Sequence, residues 1–263
     1  MITKNKFLDF VSKQNYIKEL SIAEHIILWL NVALSISLFI AQMVLSKDDK
    51  PYAQWTTWLT LISTVMSVFS VMAGAKQRIL CPFLGIICSI LLVAVAFGNR
   101  LSGSMIMYIF NAVMQTIVFI IWFRSSKNKI TIQPVQFKLL FVIIYIACFV
   151  GLSALFAWIE GIDAFSQWWF DKAPLPLPIR VFDAAALMFT VAACFPMLKK
   201  CDFVWWIYII CDVAIAMTWA LKASMIADEN VFNAWSMFVS GLSMCATCVL
   251  GIINWKKALK NKA

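Results

Sequence analysis

The stretch from Lys199 to Trp219, KKCDFVWWIYIICDVAIAMTW, predicts a helix that crosses a membrane and carries an acid near its middle. It begins with two lysines and continues as a nearly unbroken apolar run. With a rise of about 1.5 Å per residue, Asp212 lies roughly 15 Å into a hydrocarbon layer about 30 Å thick. A carboxylate at that depth is costly unless it faces protein or a water-filled cavity. We therefore expect Asp212 to face the interior of a helical bundle.

One face of this helix is aromatic. Trp205, Tyr208, Asp212 and Trp219 stand at offsets of 0, 3, 7 and 14 residues, which places them close to one helical face. We expect this face to line a binding site. The alternative for Trp205, which lies beside a basic loop, is an aromatic anchor at the membrane interface.

The composition predicts a polytopic, all-α integral membrane protein. Of 263 residues, 63% are hydrophobic and 13% are charged, against about 45 to 50% and 25% in ordinary soluble domains. The net charge of +9 would indicate a nucleic-acid partner in a soluble protein. Here the charges fall in loops between apolar runs, so the expected partner is the lipid bilayer.

Neither an enzyme nor a metal protein is expected. The chain has one histidine, and its eight cysteines lie mostly inside apolar runs. Cys245 and Cys248 come nearest to a metal pattern, but without a second ligand pair nearby they suit packing. No Walker loop, Ser/His/Asp set or close pair of intramembrane acids is present. We therefore expect no cofactor.

Eight apolar runs of about 18 to 23 residues are long enough to cross a bilayer as helices. They lie near 25–45, 55–75, 80–97, 104–123, 137–158, 179–198, 203–221 and 231–253. With this map, 16 of the 22 Lys and Arg residues fall on one side. Because cytoplasmic loops carry the excess of basic residues, both termini are predicted to be cytoplasmic.

The chain divides around an internal repeat. A shift of 123 residues lays Ile86–Ser89 on Ile209–Asp212 and Lys76 on Lys199, and Trp122 resembles Trp255 at a shift of 133. The predicted division is a cytoplasmic segment 1–24, an extra helix 25–45, a three-helix repeat 52–124, a linking helix 137–158, a second repeat 179–256 and a basic tail 257–263. The pattern of residues 1–24 suits an amphipathic helix on an anionic leaflet, with a disordered tail as the alternative.

The fourth span carries a second stripe. Tyr108, Asn111, Gln115, Phe119 and Trp122 stand at offsets of 0, 3, 7, 11 and 14 residues. Packed around one cavity with the face of the seventh span, these side chains would offer flat rings, amides and one carboxylate. Such a cavity suits a small aromatic, hydroxylated solute, either neutral or cationic. Alternatively, Asn111 and Gln115 join helices to one another.

These features resemble the PnuC family of bacterial vitamin transporters over most of residues 55 to 257. The family pattern has an aspartate in the helix before a basic loop, then a Trp-x-x-Trp pair and a polar residue four positions later. Asp183, Lys199–Lys200, Trp205, Tyr208 and Asp212 match these spacings, with Tyr208 in place of the second tryptophan. Two further segments resemble the family in the first half of the chain. They are Phe83–Ile87 and the helix from Tyr108 to Arg124.

The resemblance implies one extra N-terminal helix and a 3+1+3 parallel-repeat core similar to that of SWEET transporters. It also implies facilitated diffusion of nicotinamide riboside across a bacterial inner membrane, in support of NAD biosynthesis. Phosphorylation by a separate kinase, without direct contact, would trap the substrate inside. Because Tyr208 departs from the pattern, thiamine or riboflavin is an alternative substrate. A proton-coupled symporter that uses Asp212 and a non-transporting receptor are alternative functions, and a homo-oligomer is compatible with the sequence.

The predicted substrate-binding residues are Trp205, Tyr208, Asp212, Asn111, Gln115, Tyr108 and Asp183. Of these, Asp183 has the strongest competing role. It lies only about 6 Å inside the outer interface by the helical rise, and Arg180 precedes it by three residues. An ion pair with Arg180 or a helix cap is therefore an alternative to contact with substrate.

Overall fold

A computed structural model of the chain describes residues 16–45, 55–125, 132, 139–163, 174–226 and 231–260. A short 3₁₀ turn, Ile17–Glu19, precedes eight long helices within these ranges. The helices are α1 (Ile22–Leu45), α2 (Trp55–Ala75), α3 (Leu80–Gly98), α4 (Ser102–Ser125), α5 (Leu139–Ile159), α6 (Leu177–Leu198), α7 (Val204–Met225) and α8 (Val231–Lys260). All eight contain a segment long and apolar enough to cross a membrane, and the described residues contain no β-strand.

The all-helical, eight-span prediction is confirmed. The largest difference from the predicted bounds is at α8, which continues to Lys260 rather than ending near residue 253. The extra turns carry Lys256 and Lys257, so the start of the predicted basic tail is helical. Lysines in the last turns of a helix interact favourably with its negative end, which explains why the helix outlasts the apolar run.

Six of the helices form a closed ring. Around the ring, α2 packs on α3, α3 on α4, α4 on α6, α6 on α7, α7 on α8, and α8 returns to α2. Outside it, α1 packs on α2 and α8, and α5 packs on α6. In the hydrophobic segments of α1 and α5 only 22% and 17% of residues are buried, against 61% in α6. The ring is therefore the core, and α1 and α5 are peripheral.

The two halves of the ring share contacts at the predicted shift of 123 residues. The Cys88 thiol donates to the Ser63 carbonyl, with an S···O distance of 3.3 Å. The Cys211 thiol donates to the Ala186 carbonyl at 3.5 Å. Gln77 and Lys200, also 123 apart, end α2 and α6 with φ of 60° and 58°. The division into two repeats stays a prediction, which these matching contacts favour.

One pair of residues that lie 123 positions apart in the sequence is in direct contact. Lys222, near the end of α7, donates from Nζ to Oδ1 of Asn99, which follows α3, at 2.9 Å. Two equivalent positions can meet only close to the axis that would relate the two halves. Both side chains are buried, with 2% and 1% exposure. They join the two halves at the end of the bundle where α3 and α7 finish.

The opposite end, which holds the loops 76–79 and 199–203, is called the basic end here. The described part of the N-terminal segment is anchored there. Tyr16 and Leu20 are buried, and the Tyr16 hydroxyl donates to the Phe69 carbonyl at 2.8 Å. Glu19 forms an ion pair with Arg78. Residues 16 to 20 thus pack on the protein, whereas residues 1–15, which would form most of the predicted amphipathic helix, lie outside the described residues.

A proline in α6 explains how the peripheral helix α5 is attached. Pro196 has no backbone N–H, so the carbonyl of Ala192, one turn earlier, loses its helical partner. The hydroxyl of Tyr145 on α5 donates to that carbonyl, with an O···O distance of 2.5 Å. The linking helix therefore satisfies the carbonyl that the proline leaves unpaired.

Candidate functional site

A cavity of about 170 Å³ lies inside the ring. Residues of α2, α3, α4, α6, α7 and α8 line it, and among the described residues neither α1 nor α5 contributes. A single buried water needs only about 10 to 15 Å³, so this volume accommodates a small molecule. The lining extends from the middle of the bundle to Gly74, Met197 and Trp255 near the basic end.

The cavity brings together six of the seven residues predicted to bind substrate. Trp205, Tyr208 and Asp212 reach it from α7. Tyr108, Asn111 and Gln115 reach it from α4, on the other side of α6 in the ring. Trp219, the last residue of the α7 stripe, is fully buried and lies outside the lining.

Trp205 is a wall of the cavity rather than an interfacial anchor. Its side chain is only 4% exposed, and its ring meets that of Trp255 edge-on with centroids 5.5 Å apart. A β-carbon on Gly251 would lie 2.6 Å from Cε2 and Cε3 of the indole, so glycine is needed there. The neighbouring Trp206 is half exposed, and Lys256 lies 5.9 Å from its ring centroid. Trp206 therefore has the outward position that an anchor requires.

Asp212 presents its carboxylate to the cavity. Oδ2 accepts a hydrogen bond from the Cys248 thiol of α8, with an S···O distance of 3.2 Å. A thiol is a weak donor, so this contact compensates little of the negative charge. A cationic ligand beside Asp212 would compensate it better.

The wall formed by α3 and α4 carries two amides and a hydroxyl beside the rings of Tyr108 and Trp122. Asn111 donates from Nδ2 to the Ser89 hydroxyl at 2.9 Å, and Gln115 donates from Nε2 to Asn111 Oδ1 at 3.4 Å. Gln115 fits against Gly85, where a β-carbon would lie 3.1 Å from the amide carbon Cδ. Asn111 therefore joins α4 to α3 through Ser89, as the helix-joining alternative required, and both amides also line the cavity.

Asp183 is the predicted site residue that the structure places elsewhere. It is 1% exposed, lies outside the cavity lining, and accepts a hydrogen bond from the Ser104 hydroxyl. Its expected partner Arg180 instead donates from Nη1 to the Ala157 carbonyl at 3.1 Å. Asp183 therefore caps the first turn of α4, because the free N–H groups and positive end of a helix attract a carboxylate.

Glu160 shares this cap and was not found by sequence reasoning. Oε1 accepts from the Ser102 hydroxyl and, at 2.8 Å, from the backbone N–H of Gly103. Burial and the nearby charge of Asp183 raise the pKa of Glu160 to about 8. Because it lies just beyond the predicted fifth span, its sequence context suggested an ordinary loop acid.

Three further lining residues were missed as site residues: Trp122, Trp255 and Met197. Trp122 belonged to the predicted stripe of the fourth span but was not among the seven predicted substrate-binding residues, and Trp255 served only to mark the repeat at a shift of 133 residues. Met197 carries no signal in the sequence, because a methionine in an apolar run is ordinarily a core residue.

The arrangement can bind a flat, polar cation. Trp205 and Tyr208 supply rings, Asp212 supplies a negative charge and the α4 amides supply hydrogen bonds. Trp205 Nε1 is buried and has no hydrogen-bond partner among the described residues, so it is also suited to a ligand acceptor. Among all the residues that the structure describes, no group of histidine, cysteine and acidic side chains could hold a metal ion.

Comparisons with known structures and families identify the fold and the family of the chain. The crystal structure of the vitamin B3 transporter PnuC matches with a TM-score of 0.68 and 15% identity, covering 93% of this chain and 94% of that one. A comparison with curated proteins gives no match. The model of the nicotinamide mononucleotide transporter family matches residues 57–257, which span α2 to most of α8. The chain therefore belongs to the nicotinamide mononucleotide transporter family, whose members are membrane transporters and not enzymes.

Proposed function

We propose that this protein is a vitamin B3 transporter whose substrate is nicotinamide riboside. The observation that carries the proposal is the composition of the cavity that lies inside the ring. Its α7 side offers aromatic rings and Asp212, and its α4 side offers two amides. Nicotinamide riboside has the matching parts, a flat pyridinium cation and a ribose with free hydroxyl groups.

This composition favours one orientation of the substrate. The pyridinium ring would pack against the ring faces of Trp205 and Tyr208, whose centroids lie 6.3 Å apart with their planes at 59°, and its charge would lie beside Asp212. Cations bind favourably to aromatic faces and to carboxylates. The ribose would then lie toward Asn111 and Gln115. The family match and the fold shared with PnuC support the same class of substrate.

Transport is proposed to be passive. The basic end would face the cytoplasm of a bacterium, with the protein in the inner membrane, because basic loops remain inside. A separate kinase would phosphorylate nicotinamide riboside after entry and so prevent its return. The purified protein in liposomes should equilibrate labelled nicotinamide riboside without concentrating it, and absence of uptake above that of empty liposomes would refute the proposal.

A second candidate function is proton-coupled symport through Asp212. The observation that favours it is a carboxylate inside the bundle whose hydrogen-bond donor is a weak thiol. An imposed pH gradient would then drive accumulation above equilibrium, and Asp212→Asn would abolish that accumulation. Equal uptake with and without the gradient would eliminate coupling and leave passive transport.

The exact vitamin depends on Tyr208, which lines the cavity where the family pattern has tryptophan. A panel of nicotinamide riboside, nicotinamide, thiamine and riboflavin should therefore be tested by thermal shift, because a ligand that binds the folded state raises its apparent stability. The largest shift is expected with nicotinamide riboside. A larger shift with thiamine or riboflavin would reassign the substrate, and binding without uptake would indicate a receptor.

A further inference from the structure

Met197 of α6 stands between the two walls of the cavity. The Tyr208 hydroxyl of α7 donates to its sulfur, with an O···S distance of 2.8 Å. Gln115 of α4 donates from Nε2 to the same sulfur, with an N···S distance of 3.9 Å. Met197 is buried and lines the cavity. The thioether therefore links the aromatic wall to the amide wall.

This contact, together with the hydrogen bond to Asn111 Oδ1, determines which way the Gln115 amide points. A thioether sulfur can accept a hydrogen bond but cannot donate one. The amide must therefore direct its NH₂ group toward Met197, and its second hydrogen serves Asn111 Oδ1 at 3.4 Å. The order Ser89, Asn111, Gln115, Met197 forms one directional chain, in which Asn111 donates to Ser89 at 2.9 Å.

This series of hydrogen bonds from Ser89 to Met197 leaves one acceptor without a partner. Gln115 Oε1 is buried and has no hydrogen-bond partner among the described residues. It lies beside Gly85, 3.4 Å from the position that a β-carbon would occupy there, and both residues line the cavity. A buried acceptor without a donor is unfavourable, so a ligand that brings an O–H or N–H group gains from filling this place.

We propose that Met197 is a positioning residue that makes this transporter selective for substrates with a hydrogen-bond donor opposite Gln115 Oε1. The inference rests on the proposed function, in which the ribose of nicotinamide riboside lies toward Gln115 and its hydroxyl groups supply that donor. At the shift of 123 residues the position equivalent to Met197 is Gly74. The sulfur is therefore present in one half of the ring and absent from the equivalent place in the other.

The test compares nicotinamide riboside with two analogues that lack donors, the 2′,3′-di-O-methyl riboside and the N,N-dimethylcarboxamide riboside. Inhibition of labelled nicotinamide riboside uptake in liposomes gives the preference for the parent compound. The unmodified protein should prefer the parent to the 2′,3′-di-O-methyl riboside by about tenfold, the effect of one lost hydrogen bond. Its preference over the N,N-dimethylcarboxamide riboside should be smaller. Met197→Leu, which keeps the bulk and removes the acceptor, should reduce that preference to about twofold.

Three control variants separate this effect from simple loss of packing. Met244→Leu changes another buried methionine of the cavity and should keep the preference. Met197→Gln restores an acceptor of similar length and should also keep it, whereas Gln115→Leu should lose it. If Met197→Leu retains the full preference while Gln115→Leu loses it, Met197 has no positioning role. If Met197→Leu does not fold, loss of the preference in Met197→Gln overturns the proposal. If the unmodified protein neither binds nor takes up nicotinamide riboside, the proposed function itself fails.

Discussion

The two three-helix units of the ring, α2–α4 and α6–α8, share a scaffold and differ in chemistry. At the shift of 123 residues, Gly85 corresponds to Tyr208 and Ser89 corresponds to Asp212. All four line the cavity. The second unit thus has a ring and a carboxylate where the first has a glycine and a hydroxyl. The space at Gly85 is occupied by Gln115.

The scaffold contacts show no such divergence. Ser67 lies 2.6 Å from the Cys88 sulfur, and Thr190 lies 3.1 Å from the Cys211 sulfur. A hydroxyl and a thiol therefore meet at equivalent positions in both units. The hydroxyl and thiol positions are therefore alike in the two units although they also line the cavity, whereas the pairs Gly85/Tyr208 and Ser89/Asp212 differ. A cavity with unlike walls binds an elongated ligand in one orientation.

The largest effect should follow removal of the Asp212 charge, because the equivalent residue of the first unit, Ser89, is uncharged. Asp212→Asn is expected to weaken binding of nicotinamide riboside about tenfold to hundredfold, the range for one interaction with a charged group. Ser89→Ala, the equivalent change in the first unit, should weaken it less than tenfold. Titration calorimetry measures both affinities. The reduced, uncharged riboside should be nearly insensitive to Asp212→Asn, and equal weakening of both ligands would argue against a charge effect.

The next effect concerns the glycine that accommodates Trp205. Gly251→Ala should lower the stability by about 1 to 3 kcal/mol, since overpacking of a filled interior forces side chains or backbone to shift. It should also weaken ligand binding, because the indole has to move from the cavity wall. Melting temperature and affinity check both effects. The matched control is Gly151→Ala on α5, where a β-carbon meets nothing within 4 Å and no loss is expected.

A pH effect should arise at the cap of α4, where the two units are joined. The pKa of Glu160 is raised from 4.5 to about 8. Between these values the folded protein keeps a proton that the unfolded protein releases, so the free energy of unfolding should fall as the pH rises. Below 4.5 and above about 8 this contribution should be constant.

Glu160→Gln mimics the protonated acid and should flatten the pH dependence of the melting temperature between pH 5 and 8. Asp163→Asn changes a nearby exposed acid and should leave the slope as it is. If the pH dependence of the melting temperature persists in Glu160→Gln, a group other than Glu160 causes it.

The smallest effect should be alike in the two units. Gln77 and Lys200 both have φ near +60°, where a residue with a β-carbon is strained. Gln77→Gly and Lys200→Gly should each stabilise the protein by about 1 kcal/mol or less, because glycine is the favoured residue after a helix end. Lys199→Gly, at φ of −81°, should bring no gain. Melting temperatures that rise for one loop only would show that the two loops are not equivalent.

The sequence predicted most of the fold because each span is a long apolar run, and such runs can satisfy their backbone only as helices. The α4 and α7 stripes also met at one cavity, since residues at helical spacing share a face. What the sequence could not predict was which other helices surround a given side chain. Asp183 matched the family spacing, but the start of α4 lies beside it and takes its carboxylate. Met197 could not be found, because its role depends on two helices that approach it from elsewhere.

The most direct test of the unlike walls is the stoichiometry with which the purified protein binds nicotinamide riboside in titration calorimetry. Two units with equivalent walls would offer two sites, whereas one cavity with a ring and a charge on one side and amides on the other offers one. We predict saturable binding of one molecule per chain. Two equivalent sites per chain, or no saturable binding, would contradict the assignment of this cavity as a single asymmetric substrate site.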